Sequence, residues 1–580
     1  MSNPCREVIT LQLGHYANFV GTHWWNLQDA SLCYDISPEE TPSEIFSDVL
    51  FRQGQTHSGQ TTYTPRLIAF DLKGSLNTLR QEGCLYETSS ESNSLAWEGA
   101  VMTHREELAQ KNEFLEDLEL LDGQGLPKER LQIKNRKESR VPNTVNGQLE
   151  HSRKAYNLES SVRVWSDFLR VHLHPKTISI VNQYSYEGEC DRLEAFGQGE
   201  SLLKENSFLD DLEDKLHFFV EECDYLQGFQ VLCDIQDGFS GLGSSVTELL
   251  HDEYGGRGIF TLGLAPVSHP QSSVVKDVYH LINSVLSFVY LSNNSSSFCP
   301  LSLRGGLERR PSPHTTFPYL LYDASSWYHS SAVLSTVLDT LTLPYRLHNG
   351  GCSMGQLTDA LVFSGRKVLC ASASVPFPMV SDKSLPDTLV DFGETLPWRP
   401  VSACGELREN RCFAQSVCLR GISPHNMICN LAPGSKPISP LHICTSGEDV
   451  LIEYVKSQYR GTLSAVNLIQ SPCKLTAPFP QIFSPSVNKD GFLQIKSRPF
   501  GSTVNNIPVL TSVQTSPLLH HTLLHLYSSV KSLDLRRFNS FLSTGTELEN
   551  LHEALQDLRT MAQNYKMNFD IDISTEDDSD

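Results

Sequence analysis

Residues 228–254 read "GFQVLCDIQDGFSGLGSSVTELLHDEY", and this stretch decides the fold. Its first part, "GFQVLCDI", is a short apolar run typical of a buried strand, and "SSVTELLHDEY" has a helical pattern. Between them lies the glycine-rich turn "DGFSGLGSS" (residues 237–245). A strand, a glycine turn and a helix in this order predict one unit of a parallel sheet. In such a sheet the turn lies at the carboxyl end of the strand, where helix N-termini can bind an anion.

The same order of elements recurs along the chain. "REVITLQLG" (residues 6–14) alternates like a strand and ends at a glycine, and "HYANFVGTHWW" (residues 15–25) then has apolar residues at helical spacing. "RLIAF" (residues 66–70) is a second buried strand that runs into "DLKGS" (residues 71–75), and "GIFTLGL" (residues 258–264) is another strand. Repeated units of this kind predict an α/β fold with a parallel sheet and helices on both faces.

Composition narrows the class of protein. The chain of 580 residues has 39% hydrophobic and 20% charged residues, which is typical of globular proteins. Its net charge of −22 would repel phosphates, so we expect no wholesale binding of nucleic acid. Its fifteen cysteines include no CxxC pair, which favours reduced thiols in the cytosol and no structural zinc site. The longest apolar run (residues 281–291) is too short to span a bilayer, and the N-terminus resembles no targeting segment, so any membrane association is expected to be peripheral.

Changes in pattern along the chain predict its domains. Residues 104–157 are charged and rich in turns, and we interpret them as a flexible insertion on the surface; its basic run (residues 128–140) would contact anionic lipid or an acidic partner if it is not simply solvated. A capping box from Thr546 to Glu549 is predicted to begin the last helix. The six predicted segments are an N-terminal segment (1–103), the insertion (104–157), the rest of the nucleotide-type domain (158–343), an intermediate α+β domain (344–514), a C-terminal helical pair (515–567) and an acidic tail (568–580).

Several of these segments resemble tubulins. "REVITLQLGHYANFVGTHWW" is similar to the tubulin strand, loop and helix that hold the guanine nucleotide, and "TPRLIAFDLKGS" resembles the second nucleotide loop. "LAWEGA" (residues 95–100) is a weaker match to the third loop, and residues 237–245 resemble the tubulin signature loop. The resemblance implies a tubulin-like fold with a Rossmann-type nucleotide domain. The candidate nucleotide-contacting residues that it implies are Gly14, His15, Tyr16, Asn18, Asp71, Gly74, Gly99, Ser240, Gly241 and Gly243.

A closer resemblance extends over essentially the whole chain. With the N-terminal segment, "RVWSDFLRVHLHP" (residues 163–175) and "EAFGQGESLLKE" (residues 194–205) are similar to the Misato family, divergent tubulin-like proteins associated with mitochondrial distribution and morphology. This resemblance implies a non-enzymatic protein that acts at the cytosolic face of the mitochondrial outer membrane, on the membrane surface or on proteins there, and that supports mitochondrial fusion. It also leaves tubulin or its folding chaperonin open as partners.

Departures from tubulin predict a weakened nucleotide site. Asp237 adds a negative charge to the signature loop and Phe239 adds bulk, so the loop is expected to have lost much of its affinity for phosphate. Lys73 stands where tubulins usually have an acidic residue that helps to hold magnesium. Residues 363–374 contain no Asp or Glu, although the tubulin loop near this position supplies the acidic residue for hydrolysis in the neighbouring subunit.

We therefore predict a site that is a relic of a GTP site, and we assign no catalytic residue, no metal and no definite cofactor. GTP stays open as a ligand. The alternative function is a GTP-binding, tubulin-related factor in microtubule or spindle organisation, and a slow GTPase is a third reading.

Overall fold

The computed structural model describes residues 6–32, 43–55, 59, 61–83, 109–123, 154, 156–188, 191–267, 273–307, 313–404, 411–429, 437–499 and 501–567. The strands are β1 Val8–Leu13, β2 Phe51–Gln55, β3 Thr61–Pro65, β4 Leu67–Lys73, β5 Ile178–Ser185, β6 Gly228–Asp234, β7 Gly258–Leu264, β8 Ser297–Leu301, β9 Cys370–Ser374, β10 Arg399–Pro400, β11 Ala414–Arg420, β12 Leu463–Ile469, β13 Cys473–Lys474, β14 Asn506–Ile507 and β15 Val509–Thr515.

Helices alternate with these strands through most of the chain. They are α1 His15–Ser31, α2 Glu113–Gly123, α3 Phe196–Leu202, α4 Asn206–Glu221, α5 Phe239–Glu253, α6 Val274–Asn294, α7 Trp327–Leu341, α8 Met354–Leu361, α9 Leu385–Asp391, α10 Pro424–Met427, α11 Gly447–Gln458, α12 Leu518–Lys531, α13 Asn539–Leu542 and α14 Leu548–Asn564. Within the described residues, none of these helices is both long enough and apolar enough to cross a membrane.

A parallel sheet of six strands forms the first half of the molecule, in the order β5-β4-β1-β6-β7-β8. All six residues of β1 are buried, because β1 lies between β4 and β6 and is covered on both faces. Ile9, Leu11 and Leu13 belong to one of the two cores beside the sheet, as their alternation predicts, and Val8 belongs to the other. Helices α1 and α7 contribute to one core, and α4, α5, α6, α12 and α14 contribute to the other. The α/β class predicted from the sequence is confirmed.

A second sheet of five strands, β10-β9-β15-β11-β12, follows in the intermediate part of the chain. It is mixed, since β11 and β12 are parallel while β15 is antiparallel to both β9 and β11. A mixed sheet with helices agrees with the α+β unit predicted there. The closing helices α12 and α14 pack on each other and on α6, and Leu519, Leu523, Leu526 and Val530 of α12 are buried.

The structure differs from the sequence-based predictions at three places. Part of the predicted flexible insertion is the helix α2, which is held by the burial of Phe114 at 1% exposure. The antiparallel pair β2 and β3 was not predicted. The predicted capping box is wrong, because Glu547 is the N-cap of α14 and makes no side-chain cap, while the Thr546 hydroxyl is buried without a hydrogen-bond partner.

A buried ionic cluster joins α1 and α7 to the second sheet. The Asp339 carboxylate on α7 contacts the Arg346 guanidinium at 2.8 Å and also the Arg420 guanidinium on β11. Gln28 on α1 donates to the same carboxylate at 2.7 Å. Burial alone would raise the pKa of Asp339, but Arg420 and Arg346 hold this pKa below its ordinary value. The cluster therefore ties α1, α7 and the second sheet to one charged centre.

Replacement of Asp339 by alanine is expected to destabilise the fold strongly. It would leave Arg346 and Arg420 buried without a counter-ion, and breaking a buried pair in this way costs about 3–5 kcal/mol. Urea denaturation followed by circular dichroism measures the change. The control is Glu119→Ala, which breaks the ion pair of Lys111 with Glu119, whose side chains are 39% and 68% exposed; we expect a loss of less than about 1 kcal/mol there. Equal losses in the two variants would contradict the role given to the cluster.

Candidate functional site

The candidate site lies at the carboxyl ends of β1, β4 and β6, where the sheet meets the N-termini of α1 and α5. Gly14 connects β1 directly to α1, with φ 121°, a backbone conformation that favours glycine. In nucleotide-binding α/β proteins the free N–H groups at such a helix terminus bind phosphate. In this chain the N–H groups at the start of α1 need a hydrogen-bond acceptor of the same kind.

The acceptor at the N-terminus of α1 is the side chain of Asp234, the last residue of β6. The backbone N–H of Tyr16 donates to Oδ2 at 2.9 Å, and the N–H of Ala17 donates to Oδ1 at 2.8 Å. A Cβ atom added at Gly14 would lie 2.3 Å from Oδ2, so only glycine permits this approach. The Asp234 carboxylate thus occupies the position that an anionic ligand takes in this type of site.

One N–H group at the N-terminus of α5 is also satisfied by a side chain of the protein. The Asp237 carboxylate accepts a hydrogen bond from the N–H of Phe239 at 2.9 Å. The hydroxyl of Ser240 donates to the Asp237 carbonyl at 2.5 Å, and this side chain is fully buried. Asp237, which the sequence suggested would repel phosphate, therefore also serves as the local acceptor at this terminus.

The glycines of the signature turn, residues 237–245, allow neighbouring elements to pack closely against α5. Helix α3 crosses the beginning of α5 so closely that a Cβ atom at Gly241 would lie 1.9 Å from the Phe196 carbonyl oxygen. On the opposite side of the contact, a Cβ atom at Gly199 would lie 1.7 Å from the Gly238 carbonyl oxygen. A Cβ atom at Gly243 would lie 2.4 Å from the sulfur of Cys233 on β6. Backbone contact explains the need for glycine at these positions without a phosphate.

The carboxylate of Asp71, at the end of β4, is saturated by donors from the chain. Its Oδ2 accepts hydrogen bonds from Asn18 Nδ2 at 3.0 Å and Trp165 Nε1 at 2.7 Å, and it lies 2.9 Å from His15 Nδ1. Its Oδ1 accepts from the N–H of Leu72 at 2.7 Å. Asp71 therefore fastens α1 and the segment containing Trp165 to the sheet, and has little capacity left for a metal ion.

The structure brings together some of the predicted site residues and separates others. His15, Asn18 and Asp71 form one hydrogen-bonded group, and Tyr16 borders a cavity beside it. Gly74 forms an exposed turn at φ 91° with open space around it. Gly99, and with it the weak match at residues 95–100, lies outside the described residues. Asp234 and Trp165 were missed, although the position of Asp234 at the end of a buried strand was a usable signal.

A cavity of about 540 Å³ remains next to the buried carboxyls. Its wall is rich in aromatic and acidic side chains and also includes Arg192 and Lys276. The His15 ring stacks on Tyr186 at 3.9 Å between ring centroids, just behind the wall. The aromatic and acidic residues of the wall are Tyr16, Tyr186, Tyr279, Trp327, Glu187, Glu194, Asp234 and Asp237.

Burial changes the ionisation of the groups in this cavity. Burial and the neighbouring Asp237 raise the pKa of Asp234 well above its ordinary value, although two backbone N–H groups oppose the shift. Burial also raises the pKa of Asp237, to about 7. Burial, with Lys276 and Arg304, lowers the pKa of His280 to about 4, so this histidine is neutral at neutral pH. His280 therefore supplies no positive charge at neutral pH that could offset a triphosphate.

Family models match this chain in two segments. Residues 6–120 match the Misato Segment II tubulin-like domain, and residues 155–347 match a tubulin domain. The parallel sheet, the signature turn and the site at the strand ends are therefore those of a tubulin-like protein.

Individual relatives match over nearly the full chain. Protein misato homolog 1 of Danio rerio is 54% identical, with all of both chains covered. The human protein of the same name is 47% identical over 98% of this chain and 99% of its own length. Protein misato of Drosophila melanogaster is 30% identical over 95% of this chain and 97% of its own length. The chain belongs to the Misato family.

Replacement of Gly241 by alanine is expected to destabilise the protein by about 1–3 kcal/mol or more, because the added methyl group would overlap the Phe196 carbonyl and force α3 away from α5. Thermal and urea unfolding measure the loss. The matched control is Gly355→Ala in α8, where the nearest neighbour of the new Cβ atom is 4.0 Å away; we expect a change within about 1 kcal/mol there. If Gly241→Ala left stability unchanged, the packing role of the signature glycines would be wrong.

Proposed function

We propose that this chain is a non-enzymatic, nucleotide-independent tubulin-like protein that regulates mitochondrial distribution, morphology and fusion from the cytosolic face of the outer membrane. The observation that carries the nucleotide-independent part is the Asp234 carboxylate on the N-terminus of α1. A phosphate could bind there only after displacing this carboxylate, which would then lose two backbone hydrogen bonds in a buried site. Such a loss costs about 1–3 kcal/mol or more for each buried group left without its partner.

The magnesium requirement of a nucleoside triphosphate is poorly met at the same place. The Asp71 carboxylate is taken up by Asn18, Trp165 and His15, and the Lys73 side chain is exposed outside the cavity wall. A lysine cannot coordinate Mg²⁺ in any case. The acidic side chains on the cavity wall add unfavourable charge for a triphosphate.

The segment that would act in hydrolysis is used to hold the fold together. In residues 363–374, the Arg366 guanidinium donates to the Asn564 carbonyl at the end of α14 at 2.6 Å. The Lys367 ammonium donates to the Asn293 carbonyl at the end of α6 at 2.8 Å. These cations stabilise two helix C-termini, and the segment contains no carboxylate to orient an attacking water for a neighbouring subunit.

The mitochondrial part of the proposal is supported by membership of the Misato family and by the role that the resemblance predicts for it. In this proposal, partners on the outer membrane contact the surface of the folded protein. Tubulin or its folding chaperonin are further partners that the family resemblance suggests. A cytosolic location with peripheral attachment is part of the same proposal.

A second candidate function is a GTP-binding factor in microtubule or spindle organisation. The observation that favours it is the cavity of about 540 Å³, which lies where a tubulin-like protein holds its nucleotide and has Tyr186 and Trp327 in its wall. Aromatic side chains of this kind can stack on a base. Nucleotide binding decides between the two candidates.

The unmodified protein is expected to show no saturable, Mg²⁺-dependent binding of GTP at concentrations up to about 100 µM, which corresponds to about 5.5 kcal/mol of binding free energy. Equilibrium dialysis with labelled GTP measures this. Asp234→Ala, which frees the N–H groups of Tyr16 and Ala17, is expected to bind GTP more tightly than the unmodified protein. Asp252→Ala, at an exposed position of α5, is the matched control and is expected to bind no more than the unmodified protein. Micromolar binding by the unmodified protein would instead support the second candidate.

The tagged protein is expected to sediment with mitochondria at low salt and to be released by a high-salt wash, because peripheral attachment depends partly on screened charges. Immunoblotting of both fractions, with an integral outer-membrane protein as the retained control, measures the release. If none of the protein sediments with mitochondria before the wash, the mitochondrial proposal fails.

A further inference from the structure

A cluster of metal-binding side chains lies in the intermediate part of the chain, apart from the site described above. It consists of Asp387 on α9, Cys429 just after α10, and His442 in the 3-10 helix Pro440–Ile443. One ligand atom from each side chain lies within 4.8 Å of the others. The three residues come from three separate segments of the chain, so no short spacing motif marks them in the sequence.

The histidine of this cluster is oriented for binding. Its ring is buried, with 2% of the side chain exposed, and its Nδ1 lies 3.4 Å from the Ser439 carbonyl oxygen. A proton on Nδ1 that is donated to this carbonyl leaves the lone pair on Nε2. Nε2 lies 3.0 Å from Oδ1 of Asp387, a distance at which the two atoms share a hydrogen bond when Nε2 carries a proton and can share a cation when it does not. Metal-bound histidines commonly donate their other ring N–H to a backbone carbonyl in this way.

The carboxylate is also held in place. Oδ2 of Asp387 accepts a hydrogen bond from the Ser384 hydroxyl at 2.5 Å, which leaves Oδ1 facing His442. The Asp387 side chain is 41% exposed, so water can reach a fourth coordination position. The thiol of Cys429 completes the group from a third segment and is only partly buried.

We propose that Asp387, Cys429 and His442 bind one zinc ion, with water as the fourth ligand. A sulfur, a nitrogen and an oxygen ligand together suit Zn²⁺ and are unsuited to Mg²⁺ or Ca²⁺, which prefer oxygen ligands. Bond lengths of about 2.0–2.3 Å to a tetrahedral zinc place ligand atoms roughly 3.3–3.6 Å apart. The cluster reaches this geometry by side-chain shifts on the order of 1 Å. The ion joins α9, the end of α10 and the 3-10 helix and fixes their relative positions.

Cobalt substitution tests the site in the full-length protein. Co²⁺ in a tetrahedral site with a thiolate gives visible absorption and a sulfur-to-cobalt charge-transfer band, so titration with Co²⁺, followed by displacement with Zn²⁺, measures both affinity and ligand type. We expect one equivalent to bind with a thiolate band. Cys429→Ser is expected to lose this band and to bind about tenfold or more weakly.

Cys444→Ser is the matched control, because this partly buried thiol lies two residues from His442 and its Sγ donates to the Pro440 carbonyl at 3.7 Å. It is expected to keep the cobalt spectrum of the unmodified protein. His442→Gln removes the nitrogen ligand, but the ring is buried, so its folding must be checked by circular dichroism. Because Cys429 is only partly buried, Cys429→Ser still tests the zinc site if His442→Gln fails to fold. The proposal is wrong if the unmodified protein shows no thiolate band, or if Cys429→Ser keeps it.

Discussion

The contact of the Asp234 carboxylate with the N-terminus of α1 is the constraint on which the tubulin-like half of the molecule depends. A buried helix that begins at the carboxyl edge of a parallel sheet presents N–H groups without partners, together with the positive end of its dipole. In a nucleotide-binding protein a phosphate satisfies both. Here the next strand of the same sheet supplies the anion, through hydrogen bonds of 2.9 and 2.8 Å to Tyr16 and Ala17.

Because the anion at this helix terminus belongs to the protein, the surrounding residues have structural roles. Asp71 binds side chains of α1 and of the segment that contains Trp165, and Asp237 caps α5. The glycines of the signature turn let α3 approach the backbone of α5. Carboxyl groups this close, and this deeply buried, disfavour simultaneous ionisation, which agrees with the raised pKa values of Asp234 and Asp237. The arrangement keeps the geometry of a nucleotide domain while the N–H groups of Tyr16, Ala17 and Phe239 are satisfied within the chain.

Sequence patterns predicted most of the fold, because strand burial and helix periodicity are local. The alternation in β1 and the extent of β7 are both visible in the sequence. The cap of α14 was misplaced, and α2 was missed, since Phe114 is buried by tertiary contacts that its charged surroundings do not reveal.

The chemistry of the site was less predictable. A phosphate-binding loop and a close contact between two helices both require glycine at position 241, so the sequence alone cannot distinguish the two roles. Asp234 belongs to a strand that is buried along its whole length, and its role depends on the register that places it against the N-terminus of a helix more than 200 residues away in sequence. A long-range contact of this kind leaves no periodic signal.

An anion that belongs to the chain also changes how the stability of the fold depends on ligand concentrations in the cell. A ligand that binds only the folded state adds a stabilisation that grows with its concentration, so a tubulin-like fold held by nucleotide depends on the nucleotide supply. Asp234 is covalently part of the chain, so its contribution to folding does not depend on the concentration of a ligand. The Asp339 cluster adds a second internal connection, between α1 and the second sheet. In this Misato-family chain, Asp234 and the Asp339 cluster thus hold the tubulin-like fold through groups that belong to the chain itself.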